Sequence, residues 1–193
     1  MLEKLNSDLA AVVSRGRSAL VRLEARGRGI GGGTVWHQEG LILTNAHVAQ
    51  GTVTVALPDG RRLGAKLLAS DKKRDLAALS VEANGLPVVE LGDSRALKPG
   101  DVVVALGHPW GVEGAATAGI VIDTGVPLEL RSPIELLQVS LQLRPGHSGG
   151  PLLDVHGRLV GVNTMMAGPS AGFAVPVHEI KAFLHENLGR GGH

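Results

Sequence analysis

The stretch Gly146-His147-Ser148-Gly149-Gly150-Pro151 places one serine between glycines, after the turn Arg144-Pro145-Gly146 and before a proline. A serine hydroxyl is a weak nucleophile at neutral pH and needs a neighbouring base. Attack on a carbonyl builds negative charge on oxygen. Backbone N–H groups stabilise that charge where no side chain shields them. Glycines leave the access open and adopt the dihedrals that aim two N–H groups at one point. The hexapeptide reads as a nucleophile inside its own oxyanion loop. The plainer reading is a Gly-rich turn with an idle serine. The rest of the chain must supply a base and a group to orient it.

Around this loop the sequence is written in short apolar runs. Leu136 to Leu141 and Leu152 to Val155 flank it, and Arg158 to Met165 and Ala171 to Val175 follow. Upstream, Ser18 to Ala25, Leu41 to Thr44, Thr52 to Leu57, Arg61 to Ala69, Leu76 to Val81, Asp101 to Leu106 and Gly114 to Ile122 have strand character, with Leu86 to Leu91 as a further candidate. Gly, Pro, Asp and Asn punctuate them, as at Pro58-Asp59-Gly60 and Pro99-Gly100. Many short strands at close spacing predict an all-β barrel or sandwich. Apolar residues at helical spacing predict a short helix over Leu2 to Val13 and a terminal helix over Val177 to Leu188. The run Gly27-Arg28-Gly29-Ile30-Gly31-Gly32 has the spacing of a dinucleotide loop. Such a loop must open a helix, and the β-branched residues that follow do not. A hairpin connection is the expectation there.

Composition narrows the class. The chain has 193 residues, 44% hydrophobic but only 2% aromatic, so its core must be built from Val, Leu, Ile and Ala. The net charge of +1 gives no electrostatic footprint for nucleic acid. Cysteine is absent, which excludes disulfide and thiol chemistry. No run of about 18 apolar residues is present, so no membrane-spanning helix is expected. The first residues lack the apolar core of a signal peptide. A cytoplasmic location is the expectation, or export if a leader has been removed.

Ser148 needs a base, and histidine is the usual choice because its pKa lies near the operating pH. Of eight histidines, His47 ends a buried strand and enters a turn, where a side chain is held yet meets solvent. Asp75 opens the apolar strand Leu76-Ala-Ala-Leu-Ser-Val81 and is placed to orient a base. Asp71 is its local competitor, in more solvated surroundings.

With these residues assembled, the chain resembles the protease domain of the HtrA (high-temperature requirement) family, within the chymotrypsin-fold serine endopeptidases. The segments that carry the resemblance are Gly40-Leu-Ile-Leu-Thr-Asn-Ala-His47-Val48, Arg74-Asp75-Leu-Ala-Ala-Leu79, Leu91-Gly-Asp-Ser94, Pro99-Gly-Asp-Val102, Gly107-His-Pro-Trp-Gly111, Thr117-Ala-Gly-Ile120, Gly146-His-Ser-Gly-Gly-Pro151, Gly161-Val-Asn-Thr164 and Gly172-Phe-Ala-Val-Pro176. They follow the family order and cover nearly the whole chain. The resemblance implies an all-β fold of two six-stranded antiparallel β-barrels with short terminal helices. It divides the chain into an N-terminal segment and barrel (1–95), a C-terminal barrel (96–176) and a helix (177–188). It also implies His47 as general base, Asp75 as its orienter and Ser148 as nucleophile. The oxyanion site falls within Gly146, His147 and Ser148, with the amides of Gly146 and Ser148 as donors. No cofactor and no metal are implied.

The implied substrates are unfolded or exposed polypeptides. The base of the specificity pocket lies six residues before the serine, which here is Gln142 rather than an acid. With Leu143, Asn163, Thr164 and Met165 as its lining, the pocket should take small or medium aliphatic residues. Three features depart from the family. His147 stands where Asn is usual. Gln138-Val139-Ser140-Leu141-Gln142 lacks a carboxylate found in relatives. The family's C-terminal PDZ domain has no counterpart in these residues. They motivate an alternative, a latent or inactive protease-fold protein that binds peptides in a chaperone-like way. Homotrimers through the N-terminal segment are a further expectation.

Two other readings are weaker. The hexapeptide also satisfies G-x-S-x-G of the α/β-hydrolases, but that elbow must lead into a helix. Gly149-Gly150-Pro151 is a poor helix start. His178 and His185 lie farther apart on the terminal helix than the i, i+4 pairing of a helical zinc site.

Overall fold

The structure is a computed structural model that describes residues 2–25, 28–127, 132–166 and 171–189, with the side chains of Leu2, Met165 and Met166 outside the description. Among the described residues, twelve strands close two antiparallel barrels. The first consists of β1 (Leu20–Ala25), β2 (Arg28–His37), β3 (Leu41–Thr44), β4 (Val53–Ala56), β5 (Arg62–Asp71) and β6 (Leu76–Ser80), bonded in the order β1-β2-β3-β6-β5-β4. The second consists of β7 (Val102–Gly107), β8 (Ala115–Gly125), β9 (Leu136–Val139), β10 (Pro151–Asp154), β11 (Leu159–Met166) and β12 (Gly172–Pro176). Its order is β7-β8-β9-β12-β11-β10. Adding six to each label of the first barrel gives the second, so the halves share one topology without a recognisable sequence repeat. The expected pair of six-stranded barrels is thus the observed architecture.

Some strands alternate and others are apolar throughout, and the two-barrel packing explains both. In β6, Ala77 and Leu79 fill the first barrel, while Leu76 and Ala78 turn outward against Val162, Phe173 and Val175 of the second. In β3, Ile42 points in and Leu43 joins the same seam. A strand buried on both faces reads as a continuous apolar run. α2 (Val177–Leu188) closes this seam with Ile180, Phe183 and Leu184. Truncating the fully buried Phe183 to Ala would cost about 3–5 kcal/mol.

Three local expectations are corrected. α1 runs over Leu2–Ala19, six residues past the expected Val13. It continues through Gly16 because the helix lies directly on the second barrel. A Cβ there would sit 2.4 Å from Leu106 Cδ1 and 2.5 Å from Leu153 Cδ1. Only the start of the glycine run falls at the connection between the paired strands β1 and β2, where Ala25 faces Arg28 and Gly27 lies outside the described residues. From Arg28 on the run is the first half of β2, and its glycines allow other backbone to approach. Finally, Leu86 to Leu91 is no strand. It makes one isolated bridge, Leu91 to Leu159, as the chain crosses to the second barrel.

Candidate active site

Asn45, fully buried, starts the turn after β3 by accepting the N–H groups of Val48 and Ala49 on its carbonyl. That turn lifts His47 into solvent. Asp75 occupies the left-handed region (φ 52°), which Asp tolerates better than most residues. The Asn45 side-chain amide supports that conformation by donating to the Asp75 carbonyl at 3.0 Å.

The side chain of Asp75 meets His47 twice. The His47 Nδ1 lies 2.8 Å from Oδ2 and 3.0 Å from Oδ1, and the His47 backbone N–H donates to Oδ1 at 3.1 Å. Thr164 Oγ1 donates to Oδ2 at 2.5 Å. Burial pushes the Asp75 carboxyl up, but hydrogen bonds from the His47 ring, the Thr164 hydroxyl and the His47 amide outweigh it and leave the pKa below the ordinary carboxylate value. His47 is raised above its ordinary value, chiefly by its hydrogen bond to Asp75, against a lesser opposing effect of burial. With Nδ1–H given to Asp75, Nε2 is left to accept a proton.

Asp71 is placed differently. Its Oδ1 accepts the N–H groups of Lys73 and Arg74, and its Oδ2 pairs with the Arg74 guanidinium at 2.8 Å. Arg74 also reaches Glu179 and Glu186 of α2. The terminal helix is thereby tied to the loop that presents Asp75.

The serine loop is held from both barrels. Arg144-Pro145-Gly146-His147 is a β-turn closed by the His147 N–H on the Arg144 carbonyl at 2.9 Å. Pro at the second position and a positive-φ Gly (φ 105°) at the third mark it as type II. The N–H groups of Gly146 and Ser148 meet no acceptor among the described residues. His147 therefore differs from the expectation that grouped it with them. Its amide is spent on the turn. The residue is 3% exposed, and its side chain accepts the Arg144 N–H on Nδ1 at 3.0 Å. Burial pushes the His147 imidazole below its ordinary pKa.

From the first barrel, Gly32 donates its N–H to the Ser148 carbonyl at 2.8 Å, and Thr34 Oγ1 donates to the Gly149 carbonyl at 3.0 Å. Gly149 sits at φ 83°, and a Cβ there would lie 2.0 Å from the Gly32 oxygen. The glycine run of β2 and the glycines after Ser148 thus exist for each other.

Ser148 Oγ donates to the Thr164 carbonyl at 3.0 Å; among the described residues no hydrogen bond joins it to His47. Thr164 touches two of the three predicted catalytic residues, one through its hydroxyl and one through its carbonyl. From sequence it is expected only in the pocket. Of the other expected pocket residues, Gln142 is exposed and accepts from Arg144 Nη2 at 3.0 Å. Leu143 is buried in the core of the second barrel. Asn163 is fully buried with its amide donating to the Leu106 and Pro151 carbonyls, so it braces the barrel rather than lining a pocket. Met165 lies on β11, and its side chain is outside the described residues. On the outer side of the loop, Trp110 is 75% exposed at φ 54°, and the Arg144 guanidinium stacks 5.4 Å from its ring centre.

Known proteins share much of this sequence and its fold. Residues 31–162 match the trypsin-like peptidase domain family. The solved structure of the HtrA-type protease AlgW with decapeptide superposes with a TM-score of 0.86 at 32% identity, covering 94% of this chain and 68% of that one. This chain belongs to the HtrA-type serine proteases. It is 44% identical over 154 residues to the "Probable periplasmic serine endoprotease DegP-like" of Hahella chejuensis, covering 76% of this chain and 33% of that protein. It is 41% identical over 162 residues to the mitochondrial serine protease HTRA2 of Drosophila pseudoobscura pseudoobscura, covering 80% of this chain and 38% of the relative. The chain thus spans about a third of the length of these curated HtrA-type relatives. Among its described residues, no helix is long and apolar enough to cross a membrane.

Proposed function

We propose that the chain is a serine endopeptidase that cleaves exposed polypeptide through an acyl-enzyme. The observation that carries this reading is the hydrogen-bonded line Thr164–Asp75–His47 beside a serine loop whose Gly146 and Ser148 amides meet no acceptor among the described residues. On binding substrate, the Ser148 hydroxyl turns from the Thr164 carbonyl to His47 Nε2. His47 takes its proton as Oγ attacks the scissile carbonyl. The oxyanion of the tetrahedral intermediate is held by the N–H groups of Gly146 and Ser148. His47 then protonates the leaving amine, and the C–N bond breaks to leave the acyl group on Ser148. Water, deprotonated by His47, attacks the ester, and proton return to Ser148 frees the new carboxylate. Asp75 keeps the ring in the Nδ1–H tautomer and stabilises its cation throughout.

Casein hydrolysis tests the assignment. Ser148→Ala should abolish turnover with an unchanged circular dichroism spectrum, and an equally fast mutant would sink it. We further propose a preference for small or medium aliphatic residues before the scissile bond, because Gln142 brings no negative charge to the pocket. Mapping cuts in an unfolded protein checks this, and predominant cleavage after Arg or Lys would overturn it. Leu5 of α1 is 54% exposed while Val12 of the same helix packs on the second barrel. This supports self-association through the N-terminal half of α1. Light scattering should give a multiple of the chain mass that drops on Leu5→Glu, and a monomer before substitution would refute it.

A further inference from the structure

We propose that His147 is the positioning residue of the oxyanion turn and that it makes this turn acid-labile. Neutral His147 clamps Arg144, and protonating the ring releases the clamp. The inference rests on the reading that the Gly146 and Ser148 amides bind the oxyanion.

The clamp has two jaws. The His147 backbone N–H donates to the Arg144 carbonyl at 2.9 Å, and the Arg144 N–H donates to His147 Nδ1 at 3.0 Å. One residue therefore holds both polar groups of the residue three positions earlier. Pro145 and Gly146 lie between them, so the Pro145–Gly146 peptide is fixed by both bonds. That peptide carries the Gly146 N–H. Rotating it would remove one of the two oxyanion donors.

The second jaw works only while Nδ1 is an acceptor. In the neutral ring this requires the proton on Nε2, the opposite tautomer to that of His47. A proton on Nδ1 takes the acceptor away from the Arg144 N–H and can turn only to the Arg144 carbonyl, 3.2 Å away, which already accepts the His147 N–H. The surroundings do not welcome the cation. His147 is 3% exposed, and its ring lies against the end of β7, where a Cβ on Gly107 would fall 3.1 Å from His147 Cδ2. Among the described residues, the groups that face it are the Arg144 guanidinium, which opposes a positive charge, and the His108 imidazole from the β7–β8 loop. Burial likewise pushes His108 down, and Glu113 and Arg22 act on it from beyond. The Arg144 carbonyl, 3.2 Å from Nδ1, favours the cation, but burial and the guanidinium outweigh it. No carboxylate among the described residues acts on the ring.

Two histidines then govern the acid side of the activity. His47 protonates first, because Asp75 raises it, and His147 protonates at lower pH. The logarithm of kcat/KM should fall with unit slope below the His47 midpoint and steepen to a slope of two below the His147 midpoint. His147→Asn supplies an amide oxygen that accepts the Arg144 N–H and does not titrate. His147→Leu supplies no acceptor. We expect His147→Leu to lose about 10²-fold in kcat at neutral pH, the scale of losing one oxyanion donor. His147→Asn should recover at least about tenfold of that loss and show unit slope throughout.

The experiment is the pH profile of wild type, His147→Asn and His147→Leu. It is paired with ¹⁵N NMR of the imidazoles in Ser148→Ala, which reads the ring whether or not the chain is an enzyme. The expected spectrum shows His147 with Nε2–H and an unprotonated, hydrogen-bonded Nδ1. An Nδ1–H tautomer at neutral pH overturns the proposal. So does a wild-type profile of unit slope identical to that of His147→Asn over the pH range in which the fold is retained. Absence of any serine-dependent turnover, with the expected tautomer present, would instead refute the endopeptidase reading and leave only the clamp.

Discussion

Replacing Thr164 by Val removes one hydroxyl from the site while keeping the β-branched shape and the backbone carbonyl on which Ser148 rests. The hydroxyl donates to Asp75 Oδ2 at 2.5 Å, and the Asp75 side chain is 19% exposed. A hydrogen bond to a charged acceptor contributes about 1.5–3 kcal/mol. Asp75 keeps its two bonds from His47, so the low half of that range applies, about 1.5–2 kcal/mol. The sign against pH follows from the direction of the Asp75 shift. Its folded pKa lies below the unfolded value of 3.8, so the stability it contributes is complete above that value and is lost as pH falls through the folded pKa. Thr164→Val should therefore destabilise fully at pH 7 and progressively less below pH 3.8. Urea unfolding of Thr164→Val and Thr164→Ser, both in a Ser148→Ala background to prevent self-cleavage, measures this. With Ser148 present, kcat should fall about tenfold in the valine variant with little change in KM, because the hydroxyl orients the base rather than the substrate. Equal stability of Thr164→Val and the parent at pH 7 would refute the reasoning. So would a serine variant worse than the valine one.

Other perturbations test the remaining parts. Arg74→Ala leaves Asp71 and Glu179, both less than a fifth exposed, without their shared cation. It should destabilise by about 2–4 kcal/mol and lower kcat through the Asp75 loop, checked by thermal unfolding and turnover together. Gly149→Ala should abolish activity and lower the melting temperature far more than Gly51→Ala. Both glycines have positive φ, but at Gly149 a Cβ would strike the Gly32 backbone, whereas none of the described residues lies within 4 Å of one at Gly51. The acid limb of kcat/KM should have its first midpoint above 6.5, because Asp75 raises His47. The same raised pKa makes the pair's stabilisation complete below 6.5 and lost as pH rises through the folded value. In Asp75→Asn the ring loses the partner that raises it, so its NMR midpoint should move down; an unmoved midpoint would contradict the assigned cause.

Much of the barrel architecture is legible because β3 and β6 are apolar on both faces and bounded by turn residues. α2 is legible to its ends because Val177, Ile180, Phe183, Leu184 and Leu188 share one side. The end of α1 is not, since Gly16 and the arginines beside it weaken helical periodicity while the contact that retains them, with Leu106 and Leu153, is distant in sequence. The glycine run misleads for the same reason. Its glycines answer to Ser148 and Gly149, more than 100 positions away, and no local pattern records that. Within the site, His47 and Asp75 are readable from strand ends. Thr164 and Asn45 act through one hydroxyl, one amide and two carbonyls, and sequence shows only that polar residues occupy otherwise apolar surroundings. The pocket is the least legible part. Which side of β11 Asn163 faces depends on register, and the irregular pairing between Asn163 and Met165 shifts it.

Ser148 acts in the proposed reaction as a nucleophile activated by His47. Labelling with a fluorophosphonate, followed by mass mapping of the adduct, tests that directly. The adduct should fall on Ser148, be absent from Ser148→Ala and form at least about 10²-fold more slowly in His47→Ala. A chain that stays unlabelled, or an adduct that persists in Ser148→Ala, would contradict it.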